Sequence, residues 1–301
     1  MLPDQKRNTE VTEKKSIYDF LSGEMNVTKE IYKLADLFER KDIVRVRHKY
    51  SIGTDISLEQ WVAGLFLGWN GRGSYLTPNE LKRDMEIADI KNKVPNELQT
   101  TLYLEYLLNM IQLFERERHL LKSQSVSIQT PVYQALIDNL SLLLSQLNLT
   151  TVQKERGITI LVPESPVVTE AVEIVEKPDV KLAILEYNHI TNRNNLSEKW
   201  KILQILAHDF EPRRNELEKT SEGKNLASDL GFLFNKLNIR HNNTEGKKAV
   251  PAIQNMPEKD LLEWYDTTYR LYLTAVLLHD YANDKKQQAK ITALKAVVNP
   301  R

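Results

Sequence analysis

Residues 96–121 read NELQTTLYLEYLLNMIQLFERERHLL. Leu98, Leu102, Tyr106, Met110 and Leu113 fall along one side of a helical projection, with Leu104, Leu107, Ile111 and Phe114 beside them. Apolar residues recurring three and four apart mark an α-helix with a buried face. So broad a face makes this the strongest helix of the N-terminal half. It closes in the charged run Glu115-Arg116-Glu117-Arg118-His119.

Working outward, the same spacing predicts a helix from Thr28 to Arg40, with Ile31, Leu34, Ala35 and Phe38 on its buried face. The stretch from Asp42 to Tyr50 alternates and reads either as a short strand with one basic face or as a continuation of that helix. In residues 57–69, Ser57 is placed to cap a helix with Gln60 as its capping-box partner. Pro78 opens another, since proline suits the first helical turn. On the C-terminal side, Pro131 to Leu147 is leucine-rich and helical. Thr150-Thr151-Val152 and Ile158 to Val162 then flank Lys154-Glu155-Arg156-Gly157, a β-hairpin pattern. The Pro-, Val- and Glu-rich residues 163–178 are expected to be a linker. Further helices are expected at 179–192, 196–220, 225–240 and 257–284. The last carries Leu261, Trp264, Thr268, Leu271, Ala275 and Leu278 beside Tyr265, Tyr269, Tyr272 and Val276, which implies burial on more than one side.

The expected fold is therefore mainly α, with a short hairpin between an N-terminal helical region (16–162) and a C-terminal helical bundle (179–301). The charged, apolar-poor residues 1–15 are expected to be a disordered tail.

Composition narrows the function classes. Lys+Arg and Asp+Glu both total 41, so no global field favours or repels nucleic acid. The chain has no cysteine, which removes disulfides, thiol catalysis and Cys-based metal centres. No apolar run reaches the ~20 residues of a membrane span, and the N-terminal residues show no secretion signal. A cytoplasmic protein without membrane contact is expected. The six histidines are scattered and none pair at i, i+4, so no metalloprotease helix is present. P-loop, dinucleotide fingerprint and nucleophile elbow are absent as well. No metal and no cofactor are expected.

Two His-Asp dipeptides stand out, His208-Asp209 and His279-Asp280, and the second, in TAVLLHDYAND, resembles the metal-binding pair of HD-domain phosphohydrolases. The later aspartate such a site needs is missing, because Asp284 lies one turn from Asp280 on the same helix. Both dipeptides are expected at the wet ends of helices. In Glu211-Pro212-Arg213-Arg214-Asn215-Glu216, Pro212 implies a kink, and Arg213 and Arg214 either bind phosphate or form a solvated face. Arg240 and His241 follow the core face Leu226, Leu230, Leu233, Phe234 and Leu237 where that helix ends. An Arg, a His and the amides of Asn242 and Asn243 at a bundle mouth have the parts to hold a phosphate and move a proton. Otherwise Arg240 pairs with a carboxylate and the asparagines form a turn.

The helices at 179–192 and 196–220, followed by Asp229-Leu230-Gly231-Phe232-Leu233-Phe234-Asn235-Lys236-Leu237-Asn238-Ile239-Arg240-His241-Asn242, resemble the HEPN superfamily in its abortive-infection forms. That resemblance implies a helical bundle that dimerises or meets a protein partner. It also implies an RNA-directed antiphage or toxin-type role, with Arg240 and His241 catalytic in a metal-independent ribonuclease and Asn242, Asn243, Arg213 and Arg214 binding substrate. The family's signature separates its Arg and His by several residues, whereas here they are adjacent. Two other readings stand beside it. One is a non-enzymatic interaction module that presents Trp264, Tyr265, Tyr269 and Tyr272 to a partner. The other is a winged-helix DNA-binding regulator with Arg156 near the wing tip.

Overall fold

A computed structural model of the chain describes residues 25–48, 51–121, 126–240, 253 and 255–298. The expected tail, His241, Asn242, Asn243 and the polar loop after them lie outside the described residues. In order the elements are α1 (Val27–Glu39), β1 (Val44–His48), β2 (Ser51–Ile56), α2 (Leu58–Leu65), α3 (Pro78–Asp84), α4 (Glu97–Leu121), β3 (Val126–Ile128), α5 (Thr130–Gln146), β4 (Leu149–Gln153) and β5 (Thr159–Pro163). There follow α6 (Pro166–Ile174), α7 (Pro178–Glu186), α8 (Leu196–Leu217), α9 (Ser221–Lys236), α10 (Glu258–Asn283) and α11 (Lys285–Val298). The fold is mainly α, and its β-structure is two small antiparallel sheets, β2-β1-β3 and β4-β5. Among the described residues no helix is long and apolar enough to cross a membrane.

Several starts follow local chemistry. The Ser57 hydroxyl accepts from the N–H of Gln60 while the Gln60 side chain accepts from the N–H of Ser57, a complete capping box of a kind whose removal costs ~1 kcal/mol. Within the alternating stretch Val44–His48 forms the strand: β1 pairs with both β2 and β3, and Arg45 reaches Asp55 across the sheet at 3.2 Å. Proline opens α3, α6 and α7. That is why residues 163–178 differ from the expected linker. Their prolines start helices, and α6 buries Val168 and Ala171.

The apolar side chains form two cores. The first gathers α1 (Ile31, Leu34, Phe38), α4 (Leu104, Leu107, Met110, Phe114) and α5 (Leu136, Leu140, Leu143), and ends at Leu161. The second begins at Val168 and gathers α7 to α10 through Ile184, Leu206, Phe210, Leu230, Phe234 and Tyr272. The aromatic helix expected as a partner surface faces inward instead. Tyr265, Tyr269 and Tyr272 are buried and only Trp264 is exposed, because α10 packs on α6, α8 and α9 together. α8 continues through Pro212, whose missing N–H leaves the His208 carbonyl without its helical donor.

α4 also carries a polar stripe. Asn109 donates to the Thr159 carbonyl at 2.7 Å and accepts its N–H at 2.9 Å. Glu105 Oε1 accepts the Leu161 N–H at 2.7 Å, and Gln112 accepts the Thr159 hydroxyl at 2.6 Å. These side chains satisfy the side of β5 that β4 leaves open, as buried backbone groups require. The hairpin therefore lies against α4, with Arg156 exposed at its turn.

Candidate functional site

A cavity of about 670 Å³ opens on the side of the second core that follows the hairpin. Its walls are residues 163–168, the short segment after α7 with Tyr187, Asn188, His189 and Arg193, the first turn of α8, and the middle of α10. That size suits a nucleotide-sized ligand.

Lys199 anchors one wall. It is buried in the first turn of α8, and its Nζ lies 2.5 Å from Asp266 Oδ1. The same oxygen accepts the Tyr187 hydroxyl at 2.8 Å, and the ammonium sits 4.9 Å from the centre of the Tyr187 ring. A buried ammonium requires such a carboxylate and ring to offset lost hydration. Tyr187 stacks on Tyr269 with centroids 4.0 Å apart and planes 7° from parallel. Tyr269 donates to the Ile184 carbonyl at 2.8 Å and accepts from the Asn188 amide at 2.9 Å. Burial, and then the Asp266 charge, push the Tyr187 phenol far above its ordinary range, so it stays a donor.

Two links bind the 187–193 segment to α4. His189 Nε2 lies 2.7 Å from Glu105 Oε1, both side chains being buried. Arg193 clasps Glu97 with two bonds of 2.7 Å, both groups exposed. Arg270 lines the cavity too, its Nε donating to the Asp266 carbonyl at 3.2 Å. The lining thus carries Arg193, Lys199 and Arg270, and with Arg193 paired to Glu97 and Lys199 to Asp266, Arg270 is left as the cation in excess.

A second cavity of about 420 Å³ brings Asp209 of one His-Asp dipeptide to His279 and Asp280 of the other. Asp209 enters from α8, with His279 and Asp280 from α10 and Lys177, Arg213, Glu216 and Asn283 around them. The expected wet helix end fails for Asp209, which is buried in mid-helix. It accepts from Tyr272 at 2.8 Å and from Arg213 at 3.0 Å, with Lys177 at 3.6 Å. His208 is exposed on the turn before it. His279 contacts Glu216 at 2.9 Å near the end of α10, and that contact, followed by Asn283, holds the Glu216 carboxyl below its usual range. No cluster of three or more metal-type ligands occurs among the described residues.

Of the residues singled out in the sequence, the described arginines each meet a different carboxylate. Arg240 Nη1 pairs with Glu211 Oε1 at 2.8 Å. Arg213 serves Asp209. Arg214 bonds Glu218 at 2.8 Å, and its guanidinium lies 3.2 Å from where a side chain on Gly231 would begin. The α9 terminus that presents Arg240 is built by Asn238 in the left-handed region, with the Ile239 N–H reaching back 3.1 Å to the Phe234 carbonyl, a Schellman-type end. Lys199, Asp266 and Tyr187 were missed by sequence reasoning. The one local signal was a lysine on the apolar face of α8, three residues before Ile202 and four before Leu203. Compared with known proteins, the chain matches no family model, no curated protein and no solved structure.

Proposed function

We propose that the chain is an RNA-directed protein of the antiphage or toxin type implied by its HEPN resemblance. In this reading it holds a phosphate-bearing stretch of RNA in the cavity lined by Arg193, Lys199 and Arg270. The observation that carries it is the set of cations in the lining, Arg193, Lys199 and Arg270, with two carboxylates, Glu97 and Asp266, to balance them. Guanidinium groups suit phosphate because they offer paired donors. The two exposed arginines would meet the ligand, and the buried Lys199 would raise the potential behind them. Anisotropy of a fluorescent single-stranded RNA tests it. Binding should weaken steeply with salt, and Arg193→Ala with Arg270→Ala should weaken it about tenfold, one to two phosphate contacts' worth. Unchanged affinity in the double variant would remove the cavity from the reading.

Cleavage at Arg240 and His241 is the second arm, and one observation favours it. Arg240 is half-exposed at the end of α9 and is tied to a half-exposed Glu211, a partner that a phosphate can replace. Growth after induced expression, with total RNA run on a gel, separates the arms. Arrest and RNA fragmentation that vanish in Arg240→Ala, His241→Ala support a ribonuclease. RNA binding with intact RNA leaves a binding protein.

A further inference from the structure

Behind the 187–193 segment, three side chains stand in line. Thr191 Oγ1 lies 2.7 Å from His189 Nδ1, and His189 Nε2 lies 2.7 Å from Glu105 Oε1. Burial rises along the line: Thr191 is exposed, while His189 and Glu105 are 8% and 7% exposed. The carboxylate oxygen that takes Nε2 also takes the Leu161 N–H, so Glu105 is fixed by β5 and orients the ring. An ionised Glu105 requires the proton on Nε2. Nδ1 is then the lone-pair nitrogen, and the Thr191 hydroxyl donates to it. A hydroxyl, a base in hydrogen-bond reach and a third group orienting that base are the parts of an activated nucleophile. His189 also caps the turn after it by accepting the Thr191 N–H, but at 3.4 Å that contact is long. A cap does not require a buried carboxylate on the far nitrogen.

Thr191 opens on a separate cavity of about 570 Å³. The same cavity is lined by Asn195, Leu196 and Ser197 at the start of α8, by apolar Leu98 and Ile190, and by the carboxylate of Glu258 at the start of α10. Asn195 caps the Glu198 N–H. The N–H groups of Leu196 and Ser197, the first two of a 22-residue helix, have no acceptor among the described residues. Such donors favour negative charge.

We infer that Thr191, His189 and Glu105 form an acyl-transfer centre for small esters or thioesters, independent of the RNA reading; its nucleophile opens on a different cavity from the phosphate-binding one, whose wall His189 shares. Thr191 Oγ attacks the carbonyl carbon as its proton passes to His189 Nδ1, and the carbonyl electrons move to oxygen, which faces the start of α8. Collapse of that intermediate breaks the bond to the alkoxide or thiolate, which leaves with the proton from Nδ1, and acyl-Thr191 remains. Water then attacks the acyl group, gives a proton to Nδ1, and releases the acid as Oγ regains that proton. Glu105 is a positioning residue throughout, holding Nε2–H and facing the imidazolium charge.

The test uses the full chain with p-nitrophenyl acetate and, separately, a fluorophosphonate probe followed by peptide mapping. The expected result is hydrolysis above buffer and one adduct, on Thr191. Thr191→Val, which keeps the shape and removes the hydroxyl, should abolish the adduct and lower hydrolysis at least tenfold with an unchanged melting temperature. Thr191→Ser should restore both. Glu105→Gln should lower kcat with little change in KM. Absence of hydrolysis and adduct in the wild type, an adduct elsewhere, or Thr191→Val as active as wild type would each overturn the centre.

Discussion

The two halves of the molecule bury polar side chains for different ends. In the N-terminal half Glu105, Asn109 and Gln112 are turned on the backbone and hydroxyl of β5. They complete a ladder, and of the three Glu105 also meets a side chain of the other half, His189. In the C-terminal half Lys199 and Asp209 are buried against other side chains, Asp266 in one case and Tyr272, Arg213 and Lys177 in the other, and both line cavities. Side chain to side chain bonds are the minority in folded proteins, and charges buried beside open space are costly unless paired. The first half reads as a scaffold, and the chemistry gathers in the second half and at the seam.

The contrast is sharpest at high pH. Burial raises the phenols of Tyr187, Tyr269 and Tyr272 strongly, and that of Tyr265 to about 12, in the second core. In the first core it raises Tyr103 and Tyr106. In the unfolded chain these groups ionise near 10. Their contribution is thus complete below pH 10 and is lost as pH climbs beyond it, through about 12 for Tyr265. With ~1.4 kcal/mol per pH unit per group, the second core should lose roughly 5 kcal/mol per unit and the first about half that. Circular dichroism with hydrogen exchange across pH 10–12 should find the C-terminal helices opening first. Opening of α4 and α5 first would break the comparison.

Asp209→Ala should follow in size. It leaves Arg213 half-buried and the Tyr272 hydroxyl buried without acceptors, at a cost of ~3–5 kcal/mol in urea unfolding. Asn109→Leu, in the scaffold, strands one N–H and one carbonyl of Thr159 and should cost about 2–3 kcal/mol. If it costs more than Asp209→Ala, the ordering of the halves is reversed. Arg193→Ala breaks an exposed pair and should change stability by under ~1 kcal/mol while still lowering RNA affinity in the test above. Loss of stability without loss of affinity would make that arginine part of the scaffold. Trp264→Ala, at an exposed position on α10, should be the mildest, within about 0.5 kcal/mol.

What the sequence disclosed was local. Period and caps marked α4, α5, the Ser57 start and the β4-β5 hairpin, because those features depend on neighbours a few residues away. β3 was missed since three residues carry no period and their partner in β1 lies some eighty positions earlier. α6 hid behind its prolines. α11 was missed because its polar and apolar residues fall on no consistent face. Glu105, Asn109 and Gln112 did show helical spacing, but a polar stripe on a leucine-rich helix states no partner until β5 is folded against it. Asp209, Lys199 and Asp266 belong to the same class. Their roles are set by contacts between α8 and α10, and the dipeptide His208-Asp209 gave no sign of which of its two residues would be inside.

The polar stripe of α4 also bears on how the chain behaves in a crowded solution. A two-stranded ribbon with an open edge is a template on which further strands, from this chain or another, can grow into aggregates. Here the free side of β5 is occupied by side chains that mimic a neighbouring strand, taking up its N–H and carbonyl groups at Thr159 and the N–H at Leu161. A helix thus acts as the ribbon's last strand, and it closes that edge against filament growth without adding a residue to the sheet.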